Sequence, residues 1–217
     1  MKKRIFAVLM IAALLITSLV SCQEEPQTDN SLPLEDFYTP SQEITDYVCI
    51  NVSYTDKNGE KKEGNIVVKL SPEDAPITVE NFKTLVSENF YTGLTFHRII
   101  KNFMIQGGDP KGDGTGGSPN KIKGEFSANG IPNDISHIRG VISMARRGDS
   151  MDSASSQFFI VHKDSTYLDG DYAAFGHVTY GMEVVDAIAS VSTNKSTDAP
   201  LNKVTINTIT FVTPKEA

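Results

Sequence analysis

Apolar positions in the C-terminal four fifths of the chain predict many short strands. Valine and isoleucine are concentrated in Tyr47–Tyr54 and Asn65–Leu70, and Asn58-Gly59 in the charged segment between them is typical of a hairpin turn. Further short apolar runs alternate with turns rich in Gly, Asn and Asp, and a last strand is predicted at Val204–Val212. Many short strands within one segment favour a closed barrel.

Two segments instead have the apolar spacing of a helix. One is Pro76–Val86, where the proline suits the first helical turn because it has no N–H to donate. Four apolar side chains of this segment share one face: Val79, Phe82, Leu85 and Val86. A second short helix is predicted at Met182–Ala189. We therefore expect one mainly β domain over residues 46–217, a barrel whose ends are plugged by helices.

The first 22 residues have the pattern of an export signal. Three basic residues at positions 2–4 precede the apolar run Ile5–Ile16, whose twelve residues are short for a bilayer span and suit a signal peptide. The run leads to Leu19-Val20-Ser21-Cys22, which resembles the lipobox of bacterial lipoproteins. That resemblance implies cleavage after residue 21 and acylation of Cys22, for example with palmitate. The alternative is an uncleaved membrane helix with a chance cysteine.

Residues 22–45 are polar, acidic and interrupted by prolines, and they predict a flexible tether between the lipidated Cys22 and the domain. The alternative is that the last tether residues, around Phe37 and Tyr38, dock on the domain as an extra edge. In lipoproteins of two-membrane bacteria, an aspartate directly after the lipidated cysteine resembles a retention signal for the inner membrane. This chain has Gln23 at that position instead. We therefore expect a domain anchored in the bacterial cell envelope, with the outer membrane favoured.

The net charge and the cysteine content limit which classes of partner and which disulfides are expected. Three of the 20 basic residues lie in residues 1–21, which leaves 17 against 27 acidic residues and a net charge of −10. This balance argues against nucleic-acid binding and against electrostatic adhesion to anionic lipid. Acylation of Cys22 leaves Cys49 without a partner, so no internal disulfide is expected, and Cys49 is interpreted as a strand residue. Nothing in the pattern indicates an obligate oligomer, and a monomer is expected.

Two segments carry the candidate chemistry. Thr95–Pro110 sets one arginine and one glutamine among large apolar side chains and ends near a glycine pair, and Ser155–Ile160 follows about fifty residues later. Together they resemble the signature of the cyclophilin family of peptidyl-prolyl cis-trans isomerases. The resemblance covers about Asn65–Phe211. It implies a closed eight-stranded antiparallel β-barrel with an α-helix at each end.

The implied reaction explains why an arginine stands in an apolar setting. An X-Pro bond rotates slowly because its amide must lose resonance, at a cost of about 18–20 kcal/mol. At the top of that barrier the prolyl nitrogen is pyramidal, and a donor aimed at its lone pair stabilises the transition state more than the planar ground state. Arginine is always charged and offers several rigid donors. No nucleophile, metal, cofactor or proton transfer is needed.

The family pattern assigns roles to residues of this chain. Arg98 matches the catalytic arginine, Gln106 the glutamine that positions it and the substrate backbone, and Phe103 completes the catalytic set. Residues matching the pocket for the proline ring, or the faces around it, are Phe96, His97, Met104, Ala145, Gln157, Phe159, Tyr167, Leu168 and Tyr172. Because no proton moves, His97 is interpreted as structural rather than as a general base.

Three departures from the pattern bear on specificity. Tyr167 stands where many cyclophilins have a tryptophan that donates to cyclosporin, so weaker inhibition is expected. Tyr172 follows Asp169-Gly170-Asp171 where several eukaryotic members have a histidine. The segment Arg146–Asp152 is about two residues longer than the common pattern and is interpreted as a substrate-facing loop.

Three other functional motifs, for phosphate binding, calcium binding and hydrolysis, are incomplete in this chain. The glycines of residues 112–117 lack a following Gly-Lys-Ser/Thr, a calcium loop starting at Asp109 would lack its ligands, and no Gly-x-Ser-x-Gly elbow supports a hydrolase. The sequence therefore predicts a membrane-tethered prolyl isomerase acting on unfolded or flexible exported proteins. The alternatives are a proline-peptide binding module or holdase with little turnover, and a surface adhesin that reuses the barrel.

Overall fold

Nine strands and three α-helices make up residues 33–216, the part of the chain that this computed structural model describes. In chain order they are α1 (Leu34–Phe37), β1 (Tyr38–Pro40), β2 (Tyr47–Thr55), β3 (Lys61–Leu70), α2 (Pro76–Ser87), β4 (Thr95–Ile100), β5 (Met104–Asp109), β6 (Val141–Met144), β7 (Phe158–Val161), β8 (Ala174–Tyr180), α3 (Met182–Ala189) and β9 (Thr205–Pro214). Both predicted helices and the three predicted strands are present.

Eight of these strands close into a barrel. The antiparallel order β9-β2-β3-β8-β6-β7-β5-β4 returns to β9 through the pair Thr95 and Thr205. The Phe96 N–H donates to the Val204 carbonyl at 3.0 Å across the closure. A closed barrel leaves no free edge among its own strands. The predicted eight-stranded antiparallel barrel is confirmed.

The barrel interior and its helical plugs form the main core. Along β2 the side chains of Val48, Ile50 and Val52 alternate into the interior and are fully buried. Helix α2 closes one end, where Phe82 packs against three aromatic rings at centroid distances of 5.2–5.6 Å. The buried carboxylate of Glu125 accepts hydrogen bonds from the first turn of α2, which places a negative charge at the positive end of the helix.

The residues just before β2 correct the predicted domain boundary. Strand β1 pairs with β9 in the register Tyr38 to Pro214 and Pro40 to Val212, and the ring of Phe37 lies 5.9 Å from that of Tyr180. The flexible tether predicted up to residue 45 is therefore wrong for this segment, and the docked alternative holds. Its proline and acidic residues suggest a tether, but its aromatic side chains bury against apolar residues on the outside of the barrel. Residues 1–32, which include the signal peptide and Cys22, lie outside the described residues.

Cys49 lies in β2, as predicted. It is buried, and burial raises the pKa of its thiol to about 12. Within residues 33–216, no helix combines the length and the apolar character needed to cross a bilayer.

Candidate active site

A cavity of about 580 Å³ opens on the outer side of strands β4 to β7, and we call it the groove. It brings together nine of the twelve residues implied by the family pattern. These are His97, Arg98, Phe103, Met104, Gln106, Ala145, Phe159, Leu168 and Tyr172. The groove also contains residues outside that set: Gly112, Asp113, Gly114, Arg146, Thr197 and Ala199.

An irregularity in β4 explains how two consecutive side chains reach the groove. Arg98 lies opposite Gln106 on β5, but the register shifts between Phe96 and Arg98. Strict alternation would send His97 and Arg98 to opposite sides of the sheet, and a bulge cancels that alternation locally. Phe96 remains inside the barrel, fully buried, with its ring 5.8 Å from that of Phe158. Phe96 therefore supports the site from the core and does not line the groove.

The floor of the groove is a second apolar cluster, separate from the main core. Met104, Phe159 and Leu168 are each at most 8% exposed. Phe159 lies across the strands from Gln106 on one side and Ser143 on the other, in the middle of the floor. Tyr172 meets the Phe159 ring edge-on at 5.9 Å. These side chains form a rigid apolar depression of the kind that holds a small hydrophobic ring.

Phe103 forms one side of the depression and is fixed by the tight turn between β4 and β5. Asn102 adopts a left-handed conformation with φ of 62° in this turn, and its N–H donates to His162 Nδ1 at 3.0 Å. The Phe103 carbonyl accepts from the His162 N–H at 2.8 Å. Tyr167 extends this side outward, 70% exposed, with its ring 6.0 Å from that of Phe103. Tyr167 thus lies at the rim and does not line the cavity.

Gln157 does not line the groove but hydrogen-bonds to Gln106 and to the glycine loop, which both line it. Its Oε1 accepts a hydrogen bond from Gln106 Nε2 at 2.9 Å. Its own Nε2 donates to the carbonyls of Gly114 and Gly116, at 3.1 and 2.7 Å. Gln157 therefore fixes the amide of Gln106 and the adjacent glycine loop without lining the cavity itself.

The glycine loop is organised around a buried carboxylate. Asp109 is 1% exposed and accepts hydrogen bonds from the backbone N–H groups of Lys111 and Gly114, at 2.8 and 2.6 Å. Burial would raise the pKa of Asp109, but these backbone donors outweigh it and hold the pKa below its usual value. A Cβ at Gly116 would lie 2.1 Å from Asp109 Oδ1, so glycine is required there. The glycines serve a tight loop beside the groove, as expected.

Arg98 presents most of its donors to the groove. Its Nε donates to Asp198 Oδ2 at 3.3 Å. Among residues 33–216 the guanidinium has no other hydrogen-bond partner, so both terminal amino groups remain available. Asp198 belongs to the loop after α3, which sequence reasoning missed. The only local signal was a turn-rich stretch before the last strand.

Arg146 is the first residue of the loop that the sequence analysis interpreted as substrate-facing, and it lines the groove directly after Ala145. Its guanidinium lies over the rings of Tyr172 and Phe126, at 4.9 and 5.2 Å, and its Nε donates to the Asp171 carbonyl. It separates the groove from a neighbouring cavity of about 530 Å³. Arg147 of the same longer loop and Ser153, which directly follows that loop, line the second cavity.

Two histidines lie near the site. His97 is 8% exposed, neither ring nitrogen meets hydrogen-bond geometry with a partner in residues 33–216, and burial lowers its pKa. His137 lies between Asp169 and Ser143, at 2.8 and 3.0 Å, the arrangement of a hydrolytic triad. Ser143 is fully buried beside Phe159 on the neighbouring strand, however, so a substrate cannot reach its hydroxyl. The His137 ring stacks on that of Phe159 at 6.1 Å, so this network supports the floor of the groove.

Comparisons with known proteins agree with this geometry. A family model described as cyclophilin type peptidyl-prolyl cis-trans isomerase/CLD matches residues 54–211. A peptidyl-prolyl cis-trans isomerase of Helicobacter pylori is 48% identical over 128 residues, 58% of this chain and 75% of the relative. A peptidyl-prolyl cis-trans isomerase-like 3 protein of Gallus gallus is 42% identical over 152 residues, 68% of this chain and 90% of the relative.

A solved structure resembles the whole barrel. It is the cyclophilin type peptidyl-prolyl cis-trans isomerase of Cryptosporidium parvum in the presence of the dipeptide Ala-Pro. It has a TM-score of 0.62 and 28% identity, and the match covers 74% of this chain and 98% of that one. The extent of the family match, the identity of the relatives and the closed barrel lead to one conclusion: this chain belongs to the family of cyclophilin-type peptidyl-prolyl cis-trans isomerases.

Proposed function

We propose that this chain accelerates rotation about X-Pro bonds in exported or envelope proteins, with Arg98 as the group that stabilises the transition state. The observation that carries this proposal is the pairing of an apolar depression with an arginine whose terminal donors have no partner in the described part of the chain, residues 33–216. Met104, Phe159 and Leu168 fit a proline ring, and Arg98 lines the same cavity. A groove that only bound proline would need the depression without the cation.

The proposed mechanism follows from the change at nitrogen during rotation. As the amide twists, the prolyl nitrogen becomes pyramidal and its lone pair turns into an acceptor. An Arg98 N–H that reaches this lone pair interacts more strongly with the twisted state than with the planar one. The apolar floor excludes water from that hydrogen bond, which strengthens it. In this mechanism Gln106, whose amide hydrogen-bonds to Gln157, holds the substrate backbone while the bond rotates.

A cis-trans exchange experiment tests the catalytic assignment. Exchange in a short Ala-Pro peptide is measured by NMR with protein that begins at Pro33, because α1 and β1 belong to the fold. We expect fast exchange in the wild type and a rate near the uncatalysed one in Arg98→Ala. The matched control is Arg139→Ala, since Arg139 has nearly the same exposed fraction, 43% against 42%, and also pairs with an aspartate.

The same experiment separates the enzyme from the alternative binding module. If the wild-type protein shifts the peptide resonances but leaves exchange at the uncatalysed rate, the groove is a binding site and the catalytic proposal is wrong. Equal losses in Arg98→Ala and Arg139→Ala would show that the arginine contributes no specific chemistry.

The cellular setting is also a proposal. The lipobox-like segment at residues 19–22 supports acylation of Cys22 and attachment to an envelope membrane, the outer membrane by the absence of aspartate at position 23. Two or more acyl chains anchor a protein stably, because each buried methylene contributes about 0.8 kcal/mol. Prolyl isomerisation is an equilibrium that needs no ATP, and uncatalysed it takes on the order of tens of seconds, so an envelope isomerase would aid folding of exported chains.

Labelled palmitate tests the anchor. Cells that express the full chain should incorporate the label into a membrane-bound protein, whereas Cys22→Ala should lose both the label and the membrane attachment. Label and attachment that persist in Cys22→Ala would contradict lipidation at this residue.

A further inference from the structure

The loop that holds Arg98 is well ordered by its own contacts. It runs from Ser192 to Leu201, and the Leu201 N–H donates to the Ser192 carbonyl at 2.8 Å at its base. Inside the loop, the Asn194 carbonyl accepts from the Asp198 N–H at 2.8 Å. Two of its residues, Thr197 and Ala199, line the groove on either side of Asp198 in sequence. This hydrogen-bonded loop therefore forms one wall of the groove.

The backbone of Asp198 is tied directly to the strand that carries Arg98. The Asp198 carbonyl accepts from the N–H of Ile99, the residue after Arg98, at 2.9 Å. Asp198 itself has a φ of 59°, a left-handed conformation that aspartate and asparagine tolerate better than most residues. These contacts fix the position from which the Asp198 carboxylate reaches Arg98 Nε.

It matters for the groove that Asp198 pairs with Arg98 Nε and not with a terminal amino group. Arginine has one N–H at Nε and four at its terminal amino groups, all in one plane. A bond at Nε sets the orientation of that plane and consumes none of the terminal donors. Without it, a flexible side chain would have to be ordered during each turnover, and catalysis is sensitive to such misplacement.

The pair is unsuited to a stabilising role. Both side chains are more than a third exposed, 42% for Arg98 and 37% for Asp198, and exposed ion pairs contribute little to the free energy of unfolding. The main effect of this contact is therefore on where the guanidinium points.

We propose that Asp198 is the positioning residue of the catalytic arginine: its carboxylate holds Arg98 by Nε and leaves the terminal amino groups directed at the prolyl nitrogen. This inference rests on the proposed function of Arg98. It adds a specific requirement, which is that an acceptor at position 198 sets the turnover rate of the groove.

The first test compares two substitutions in the chain from Pro33 onward. Asp198→Gly keeps the left-handed backbone and removes the carboxylate, whereas Asp198→Asn keeps both the backbone preference and an oxygen acceptor. We expect kcat to fall about tenfold in Asp198→Gly with KM within about twofold, and to recover to within about threefold of wild type in Asp198→Asn. Asn89→Gly is the matched control, an exposed left-handed position with φ of 55° after α2. A kcat of Asp198→Gly equal to that of this control would overturn the proposal.

The second test asks whether Asp198 acts through Arg98. Lysine at position 98 has no N–H equivalent to Nε, so in an Arg98→Lys background Asp198→Gly should change the residual kcat less than about twofold. An undiminished tenfold loss in that background would mean that Asp198 acts by another route, and the proposal fails.

A third readout does not depend on activity. The ¹⁵N–¹H resonance of Arg98 Nε should shift in Asp198→Gly and stay near its wild-type position in Asp198→Asn. An unchanged resonance in Asp198→Gly would overturn the contact. If Asp198→Gly is fully active while Arg98→Ala is inactive, only this inference fails. If Arg98→Ala retains full activity, the proposed function fails together with the inference built on it.

Discussion

Two regions of the barrel's outer surface are apolar, and within residues 33–216 the chain covers only one of them. The covered face comprises Tyr47, Cys49, Val67, Tyr180 and Val212, over which Phe37 and Tyr38 pack. The groove has a comparable apolar floor but remains open. A large exposed apolar surface is unfavourable for a soluble domain unless it serves binding.

The polar groups of the two regions also differ in whether they have hydrogen-bond partners within the described fold. On the covered face the Tyr38 hydroxyl donates to Thr179 Oγ1 at 2.9 Å, so its polar atom is satisfied within the fold. In the groove the terminal amino groups of Arg98 have no partner among residues 33–216. The covered face therefore stabilises the fold, whereas the groove keeps both its apolar and its polar groups available for a substrate.

The largest effect is expected where the groove and its supporting cluster meet. Phe159→Ala removes the centre of the floor and leaves a cavity beside Ser143, which should lower the free energy of unfolding by about 3–5 kcal/mol. Catalysis of exchange should fall at least about 100-fold, because the proline ring loses its apolar binding surface. Urea unfolding and peptide exchange measure the two effects. Retained catalysis in a folded Phe159→Ala protein would show that the ring binds elsewhere.

The matched change on the covered face should affect stability alone. Tyr38→Ala removes a side chain that is 7% exposed and should lower the free energy of unfolding by about 2–4 kcal/mol. Its kcat at a temperature where the protein is folded should equal that of the wild type. A loss of kcat in this variant would show that the two faces are coupled and would break the comparison.

Acid should weaken the support beneath the groove more than the covered face. Burial lowers the pKa of His137, although its hydrogen bond and charge interaction with Asp169 oppose the shift. The unfolded chain therefore binds more protons than the folded one below about pH 6.5, so this contribution to stability is full above that pH and is lost as pH falls through it.

Urea midpoints at pH 7.5 and 5.5 measure this loss, which is at most about 1.4 kcal/mol per pH unit for one histidine. His137→Gln should be less stable at both values but should show a smaller difference between them. An equal difference in wild type and variant would assign the acid sensitivity to other groups.

The smallest expected effect is at the rim. Tyr167 is mostly exposed beside Phe103, so Tyr167→Trp adds an indole donor without disturbing the floor. Cyclosporin binding should tighten by about fivefold, roughly 1 kcal/mol. Calorimetric titration of both proteins checks this, and unchanged affinity would show that the rim residue does not limit the inhibitor.

The elements of the barrel could be predicted because their signals are local. The valine and isoleucine content of Tyr47–Tyr54 and the helical spacing in Pro76–Val86 reflect local preferences and which side chains face a core, and both elements are present. The segment around Arg98 and Gln106 was predictable for a related reason. Its chemistry lies in a single β-hairpin, so sequence neighbours remain neighbours in space.

The remaining features depend on distant residues and left no local signal. The docking of Tyr38 requires partners more than 140 positions later, so its own segment looked like a tether. The ion pair with Asp198 joins residues 100 positions apart. The inward orientation of Phe96 depends on a bulge at the neighbouring residue, which alternation in the sequence does not reveal.

The catalytic role of Arg98 is tested by measuring binding and catalysis together in Arg98→Ala. One NMR titration with an Ala-Pro peptide yields both the Kd from shift changes and the exchange rate of the bound peptide. We expect an exchange rate at least about 100-fold lower with a Kd within about threefold of wild type, because the arginine acts mainly on the twisted state. A Kd that weakens in proportion to the loss of exchange, or an exchange rate that stays near the wild-type value, would contradict that role.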